Sequence, residues 1–202
     1  MSMVRVGMRA DECRVLGPGN RAVLWVHGCE RGCPGCIGAS LSDGGYEEVS
    51  ADDLASWYLG TEAEGLTISG GEPMLQAAAL AQMIGAIRAQ RDCGVIVYTG
   101  FTYEELREIA RHDEGTAAFL GCIDLLVDGP YVQELNDNVA YRGSSNQRLI
   151  ALTERYRDDL RTYYEAATAR EVEIRVSGSR VMLVGVPGKE QARMWEEMAG
   201  RR

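Results

Sequence analysis

Basic residues are in short supply in this sequence. Lys and Arg total 21 against 30 Asp and Glu across 202 residues, a formal net charge of -9. Nucleic-acid binding draws its affinity from neutralising phosphates, and no run of basic residues interleaved with aromatics offsets the deficit. A nucleic-acid partner is therefore not expected. No uninterrupted apolar stretch approaches the roughly 20 residues that a membrane-spanning helix needs. Met1 to Val6 has no basic segment leading into an apolar run, so no signal peptide is expected either. Internal repeats and low-complexity segments are also missing. What remains is the expectation of a cytoplasmic protein, away from membranes. Its 46% hydrophobic content suits a packed core, and its length suits one domain.

The chain alternates short apolar runs with helical patterns. Ala22 to Val26 reads as the first strand, buried on both faces. Leu66 to Ile68, Val95 to Tyr98 and Ile123 to Val127 read as the next three. Between them, Ser50-Ala51-Asp52-Asp53 and Thr102-Tyr103-Glu104-Glu105 carry helix-start chemistry. Leu75, Ala79, Met83 and Ile87 recur at the fourfold spacing of an amphipathic helix. Such alternation predicts an α/β fold with a parallel sheet of right-handed βαβ units. Leu149 to Leu152 reads as a fifth strand or a helix lead-in, and charged residues 153 to 170 as an exposed helix or linker. Val172 to Val176 and Val181 to Val184, broken at Ser177-Gly178, read as a hairpin. A short terminal helix follows from Gln191. Residues 1–152 are assigned to a core, and 153–202 to a helix-and-hairpin extension of the same domain.

The first strand delivers the chain into Cys29-Glu30-Arg31-Gly32-Cys33-Pro34-Gly35-Cys36. Three cysteines at C-x3-C-x2-C spacing, separated by residues that permit tight reversals, suit one inorganic centre. In a reducing compartment, clustered cysteines more often bind metal or do redox chemistry than form disulfides. Three thiolates leave a zinc site or a cubane cluster one ligand short. Only two histidines exist to supply the fourth. His27 is expected to pack beside the strand end, and His112 lies far along the sequence. Cys13, Cys93 and Cys122 are scattered and read as small core residues, with a fourth ligand as the alternative. On spacing alone, a cluster with an open iron and the other readings stand level.

The second strand ends in Ser69-Gly70-Gly71-Glu72-Pro73. Two glycines let backbone come close to a ligand, Glu72 offers a carboxylate, and Pro73 suits a helix start. Together the cysteine loop and this turn resemble the radical S-adenosylmethionine (SAM) superfamily. The likeness is closest to the anaerobic ribonucleotide reductase-activating proteins. Further matching segments are Val97 to Leu106, Asp124 to Tyr131 and Arg142 to Arg148.

The resemblance implies a partial (β/α) radical SAM barrel and a [4Fe–4S] cluster held by Cys29, Cys33 and Cys36. It implies that Gly70, Gly71 and Glu72 bind the methionine amino end of SAM. Thr99 and Asp128 are implied as further contacts to SAM or to a cation, with local turn-making as their alternative. The implied activity is reductive cleavage of SAM to a 5′-deoxyadenosyl radical, which abstracts hydrogen from a glycine of a partner glycyl radical enzyme. A one-electron donor such as flavodoxin or ferredoxin is implied as a second partner.

Two other functions stay open. One keeps radical SAM chemistry but acts on a peptide or small molecule. The other is a non-catalytic zinc or iron–sulfur module. Gly35 and Ile37 flank Cys36 where many superfamily members carry an aromatic residue, so adenine packing must come from elsewhere or be looser. Arg142 or Arg148 could pair with the SAM carboxylate or brace the end of the sheet, with a surface ion pair as the equal alternative.

Overall fold

A computed structural model describes residues 2–39, 44–166, 170–177 and 180–199. Seven strands form one sheet in the order β3-β1-β2-β4-β5-β6-β7. They are β1 (Met3–Ala10), β2 (Arg21–Val26), β3 (Glu47–Ser50), β4 (Gly65–Gly70), β5 (Gly94–Tyr98), β6 (Leu125–Asp128) and β7 (Arg148–Ala151). The helices are α1 (Ala51–Leu59), α2 (Ala77–Arg88), α3 (Tyr103–Ile109), α4 (Glu114–Leu120), α5 (Arg157–Ala166) and α6 (Lys189–Ala199). Strands β8 (Val172–Ser177) and β9 (Arg180–Gly185) pair with each other as the anticipated hairpin. Its tip residue Gly178 lies outside the described residues.

Strands β2, β4, β5 and β6 are parallel neighbours, as the βαβ pattern requires. The flanks depart from the expectation. Strand β1 runs antiparallel to β2, with β3 antiparallel beyond it, so Arg21–Val26 is the second strand of the chain rather than the first. Its all-buried run masks the weaker alternation of β1, where Val4 and Val6 are buried and Arg5 and Arg9 are only partly covered. Strand β7 closes the other edge antiparallel to β6.

Two helix starts obey their local chemistry. Ser50 Oγ accepts from the Asp53 N–H at 3.1 Å. Thr102 and Glu105 form a reciprocal capping box, each such cap contributing about 1 kcal/mol. The helix anticipated from Leu75 instead opens as a 3-10 turn, Pro73–Gln76, before α2, which leaves Leu75 exposed. Helix α4 was not anticipated. His112 sits in the turn preceding it and is exposed.

Period-two alternation gives each central strand two buried faces. Ala22, Leu24, Val26, Leu66, Ile68, Val95, Val97 and Leu126 meet Leu54, Tyr58, Leu80, Met83, Ile84, Ile87 and Phe119 of α1, α2 and α4. On the opposite face, Ile96, Leu125 and Val127 pack with Tyr156 and Tyr163. Val23 and Trp25 pack there with Cys13, Leu16 and Val184.

This corrects the reading of residues 153 to 170 as exposed. Glu154, Arg155, Arg157, Asp158, Asp159 and Arg161 face water, but Tyr156 and Tyr163 are buried against the sheet and Arg170 is buried as well. Two buried arginines fix the extension in place. Arg21 donates to Thr67, Leu66, Gly94, Pro18 and the Tyr156 hydroxyl. Arg170 donates to the carbonyls of Val139, Pro187, Arg142 and Gly143 and to Asn136. Such saturation is what a buried guanidinium requires. No helix among the described residues is long and apolar enough to cross a membrane.

Candidate cluster and ligand site

The four parallel strands end at one edge, and each releases a segment flagged in the sequence. Parallel α/β sheets place their sites there, because loops leaving adjacent strand ends converge. Strand β2 leads into Gly28 and the cysteine loop, and β4 into Gly71-Glu72-Pro73. Strand β5 leads into Thr99-Gly100-Phe101, and β6 into Gly129-Pro130.

Backbone contacts tie the first two segments together. The Gly71 N–H donates to Val26 O and the Glu72 N–H to Gly28 O, each at 2.8 Å. The approach is so close that a Cβ on Gly71 would lie 2.1 Å from Gly28 O. Gly70 adopts a φ of 105°, a left-handed value that only glycine tolerates readily. From the other side, the backbone at Gly38 packs on the Gly70 carbonyl, where an added Cβ would stand 2.8 Å away. The glycines thus serve backbone-to-backbone contact between the turn and the cysteine loop.

Within the loop, Gly32 and Gly35 have φ of 58° and 69° and supply its reversals. Cys29, Cys33 and Cys36 are free, partly buried thiols. The Arg31 N–H faces Cys29 Sγ at 3.5 Å, and the Cys36 N–H donates to Cys33 O at 3.2 Å. Burial raises the pKa of Cys36, and proximity to Cys33 and Cys29 raises it further. The three thiols therefore feel one another, and a cationic centre among them would reverse that penalty.

Among the described residues, no three His, Cys, Asp or Glu side chains gather tightly enough to hold a single metal ion. A cubane makes no such demand, since each thiolate ligates a different iron. The donor set accordingly fits an iron–sulfur cluster. Cys13 and Cys93 are fully buried in the core, as expected of structural cysteines, and Cys122 is half-buried. His27 is buried and stacks on Tyr46 with ring centroids 4.6 Å apart.

Glu72 is only 2% exposed. Its Oε1 accepts from the Met74 N–H at 3.0 Å and the Thr99 hydroxyl at 2.8 Å, and its Oε2 from the Gly100 N–H at 2.8 Å. Burial pushes its pKa upward despite these donors. Thr99 Oγ1 also accepts from the Phe101 N–H at 3.1 Å, so its hydroxyl bridges the β4 and β5 ends.

Asp128, 1% exposed, accepts from the Tyr103 N–H at 2.8 Å and from Arg148 Nε at 3.0 Å. Arg148 extends the bridge to Glu104, so it braces the sheet end. Arg142 pairs with Asp137 at 2.5 Å. Thr99 and Asp128 thus stand at the expected edge, each hydrogen-bonded to protein groups.

Sequence reasoning passed over two residues at this edge. Arg31 reaches out of the loop to lie 4.1 Å from the Phe101 ring centroid and 3.6 Å from Glu105. Gln133, in a short 3-10 turn after β6, closes on Gly35 so that a Cβ there would lie 2.2 Å from its Oε1. Arg31 was visible as the one cation between the cysteines. Gln133 gave no signal, because only the chain path after β6 brings it near.

Comparison with known proteins bears on this edge. A family profile described as a 4Fe-4S single cluster domain matches residues 15–150. An anaerobic ribonucleoside-triphosphate reductase-activating protein of Vibrio cholerae is 36% identical over 149 residues, covering 69% of this chain and 92% of the relative. The protein of the same name from Escherichia coli K12 is 32% identical over 145 residues, covering 66% and 89%. That of phage T4 is 28% identical over 147 residues, covering 69% and 89%. With its cysteine loop, its strand-end glycines and matches across most of these relatives' length, the chain belongs to the family of 4Fe–4S anaerobic ribonucleoside-triphosphate reductase-activating proteins.

Proposed function

We propose that this protein is a cytoplasmic radical SAM enzyme that installs a glycyl radical on an anaerobic ribonucleotide reductase. In this reading β2, β4, β5 and β6 belong to a partial radical SAM barrel, residues 1–152 form its core, and residues 153–202 extend the same domain. Cys29, Cys33 and Cys36 would hold the cluster. Gly70, Gly71 and Glu72 would take the methionine amino end of SAM, and Thr99 and Asp128 would support that edge.

The observation that carries the reading is the seating of the Gly70–Glu72 turn on Gly28, which sets a glycine-lined backbone and a buried carboxylate beside the cysteine loop. Bound together, cluster and SAM supply 5′-deoxyadenosyl radical chemistry, and hydrogen abstraction is theirs. The chain contributes position. Glu72, held by three donors, offers its less occupied Oε2 to an ammonium group. The loop glycines remove side chains from the approach. A one-electron donor of the flavodoxin or ferredoxin kind would supply the reducing equivalent.

The test is anaerobic reconstitution with iron and sulfide, then incubation with SAM, a reductant and an anaerobic ribonucleotide reductase. A doublet glycyl-radical signal in electron paramagnetic resonance that requires SAM is expected. Bound zinc without iron, or an iron-loaded protein that leaves the reductase silent, would overturn the reading.

A further inference from the structure

The sequence left a ligand carboxylate to Arg142 or Arg148, and both are engaged elsewhere. Arg142 pairs with Asp137, and Arg148 bridges Asp128 and Glu104. Arg31 is placed differently. It lies inside the cysteine loop, and its guanidinium rests on the face of Phe101 at 4.1 Å. Its one ion pair among the described residues, with Glu105, is long at 3.6 Å, and the Glu105 carboxylate already accepts from the N–H and hydroxyl of Thr102. The Arg31 Nε, like that of Arg142, is buried and has no hydrogen-bond partner among the described residues. A buried donor left unmade is unfavourable by itself.

Arg31 also neighbours Glu72. Around the point where a Cβ on Gly100 would sit, Arg31 Cδ lies at 2.4 Å, Arg31 Nε at 2.9 Å and Glu72 Oε2 at 3.4 Å. A guanidinium and a carboxylate therefore flank one glycine, at a spot with no room for a side chain. Opposite charges set this closely, with the cation's Nε unpaired and the anion's Oε2 holding a single donor, complement a ligand carrying both signs. An α-amino acid group has that form, with ammonium and carboxylate on one carbon.

We propose that Arg31 and Glu72 form a clamp for the α-amino acid zwitterion of the ligand, with Arg31 taking the carboxylate and Glu72 the ammonium. The inference rests on the reading of SAM as that ligand and adds the residue that recognises its carboxylate. Stacking on Phe101 holds the guanidinium in one orientation, which lowers the entropy lost when the ligand arrives.

The experiment compares two ligands by equilibrium dialysis on the anaerobically reconstituted full chain. One is SAM, and the other is decarboxylated SAM, which keeps the amino group and lacks the carboxylate. Arg31→Ala should weaken SAM binding about 10- to 100-fold, the range of a lost charge-assisted hydrogen bond. It should leave the analogue's affinity within about twofold, and Arg31→Lys should restore part of the SAM affinity. Equal losses for both ligands would reduce Arg31 to a structural prop, and no loss would exclude it from the site. If R31A retains no iron, R31K and R31Q carry the comparison: a SAM-specific loss no larger in R31Q than in R31K overturns the clamp. Wild-type protein that holds its cluster but binds neither ligand would defeat the SAM reading itself. That outcome is separable from a failure of Arg31.

Discussion

The backbone N–H of Glu72 donates to the carbonyl oxygen of Gly28 at 2.8 Å. One hydrogen bond thus joins the turn after β4 to the residue preceding the first cysteine of the loop. The cysteine loop and the Gly70–Glu72 turn meet at that junction. The glycines keep it tight, Glu72 is anchored through it, and Arg31 returns across the loop to the next strand end.

Steric crowding at the junction gives a first prediction. Gly71→Ala would drive a Cβ to 2.1 Å from Gly28 O, whereas nothing lies within 4 Å of a Cβ on Gly32. G71A should lose about 1–3 kcal/mol through overpacking and retain less iron after reconstitution. G32A meets only the strain of its left-handed backbone, about 1 kcal/mol. Denaturant unfolding and iron content per chain measure both. A G32A variant as damaged in iron retention as G71A would contradict the junction's role.

The ligand assignment gives a second. Cys33→Ala should abolish cluster assembly, because it removes one of three thiolates from a loop with no spare donor. Cys93→Ala should leave iron content nearly unchanged, since Cys93 is buried in the core cluster with Leu66, Val95 and Ile87. Iron analysis and visible absorption decide it. Loss of iron in C93A would mean the three-cysteine set is incomplete.

Glu72 gives a third, with a definite sign. Its carboxyl is raised above the ordinary 4.5 by burial, so the folded state holds the proton to higher pH than the unfolded chain does. The stability it contributes is present in full below pH about 4.5 and is lost as pH rises through the folded pKa. Glu72→Gln removes the titration. Relative to E72Q, the cluster-free wild type should therefore become less stable as pH climbs from 4.5 toward neutrality. Thermal midpoints across that range test it, and a difference growing in the opposite direction would refute it.

The extension gives a fourth. Truncation after Leu152 uncovers Ile96, Leu125 and Val127 by removing Tyr156 and Tyr163, and uncovers Trp25 by removing Val184. Burying a large apolar side chain contributes about 1.5–3 kcal/mol, so losing Tyr156, Tyr163 and Val184 should remove about 5–9 kcal/mol, much of a typical domain's stability. The truncated chain should aggregate, or bind a hydrophobic dye where the full chain does not. A monomeric truncation product with an unchanged melting temperature would show residues 153–202 to be dispensable.

Much of this was legible in the residues because it depends on local chemistry. Ser50 and Thr102 cap their helices through their own hydroxyls, and the apolar runs of β2, β4 and β5 cannot be satisfied outside a sheet interior. The edge strands were less legible. Strand β1 alternates buried valines with half-covered arginines, a weak signal beside the fully buried β2. The partners of α5 could not be read from its composition, since charged residues dominate it while Leu160 and Tyr163, with Tyr156 just ahead of the helix, do the packing.

The sequence by itself determined the cysteine loop, the glycine turn, their places after successive strands and the family to which the chain belongs. Spacing and backbone permissiveness are properties of neighbouring residues. Only the tertiary structure decided that Arg148 and Arg142 are engaged elsewhere, that Arg31 stands beside Glu72 over Gly100, and that the C-terminal extension covers the face of the sheet opposite α1, α2 and α4. Apart from the local Arg142–Asp137 pair, those contacts join residues 20 or more positions apart. Arg148 meets Asp128 through the antiparallel register of β7 on β6, and Arg31 meets Glu72 because loops leaving neighbouring strand ends converge; no local pattern encodes either.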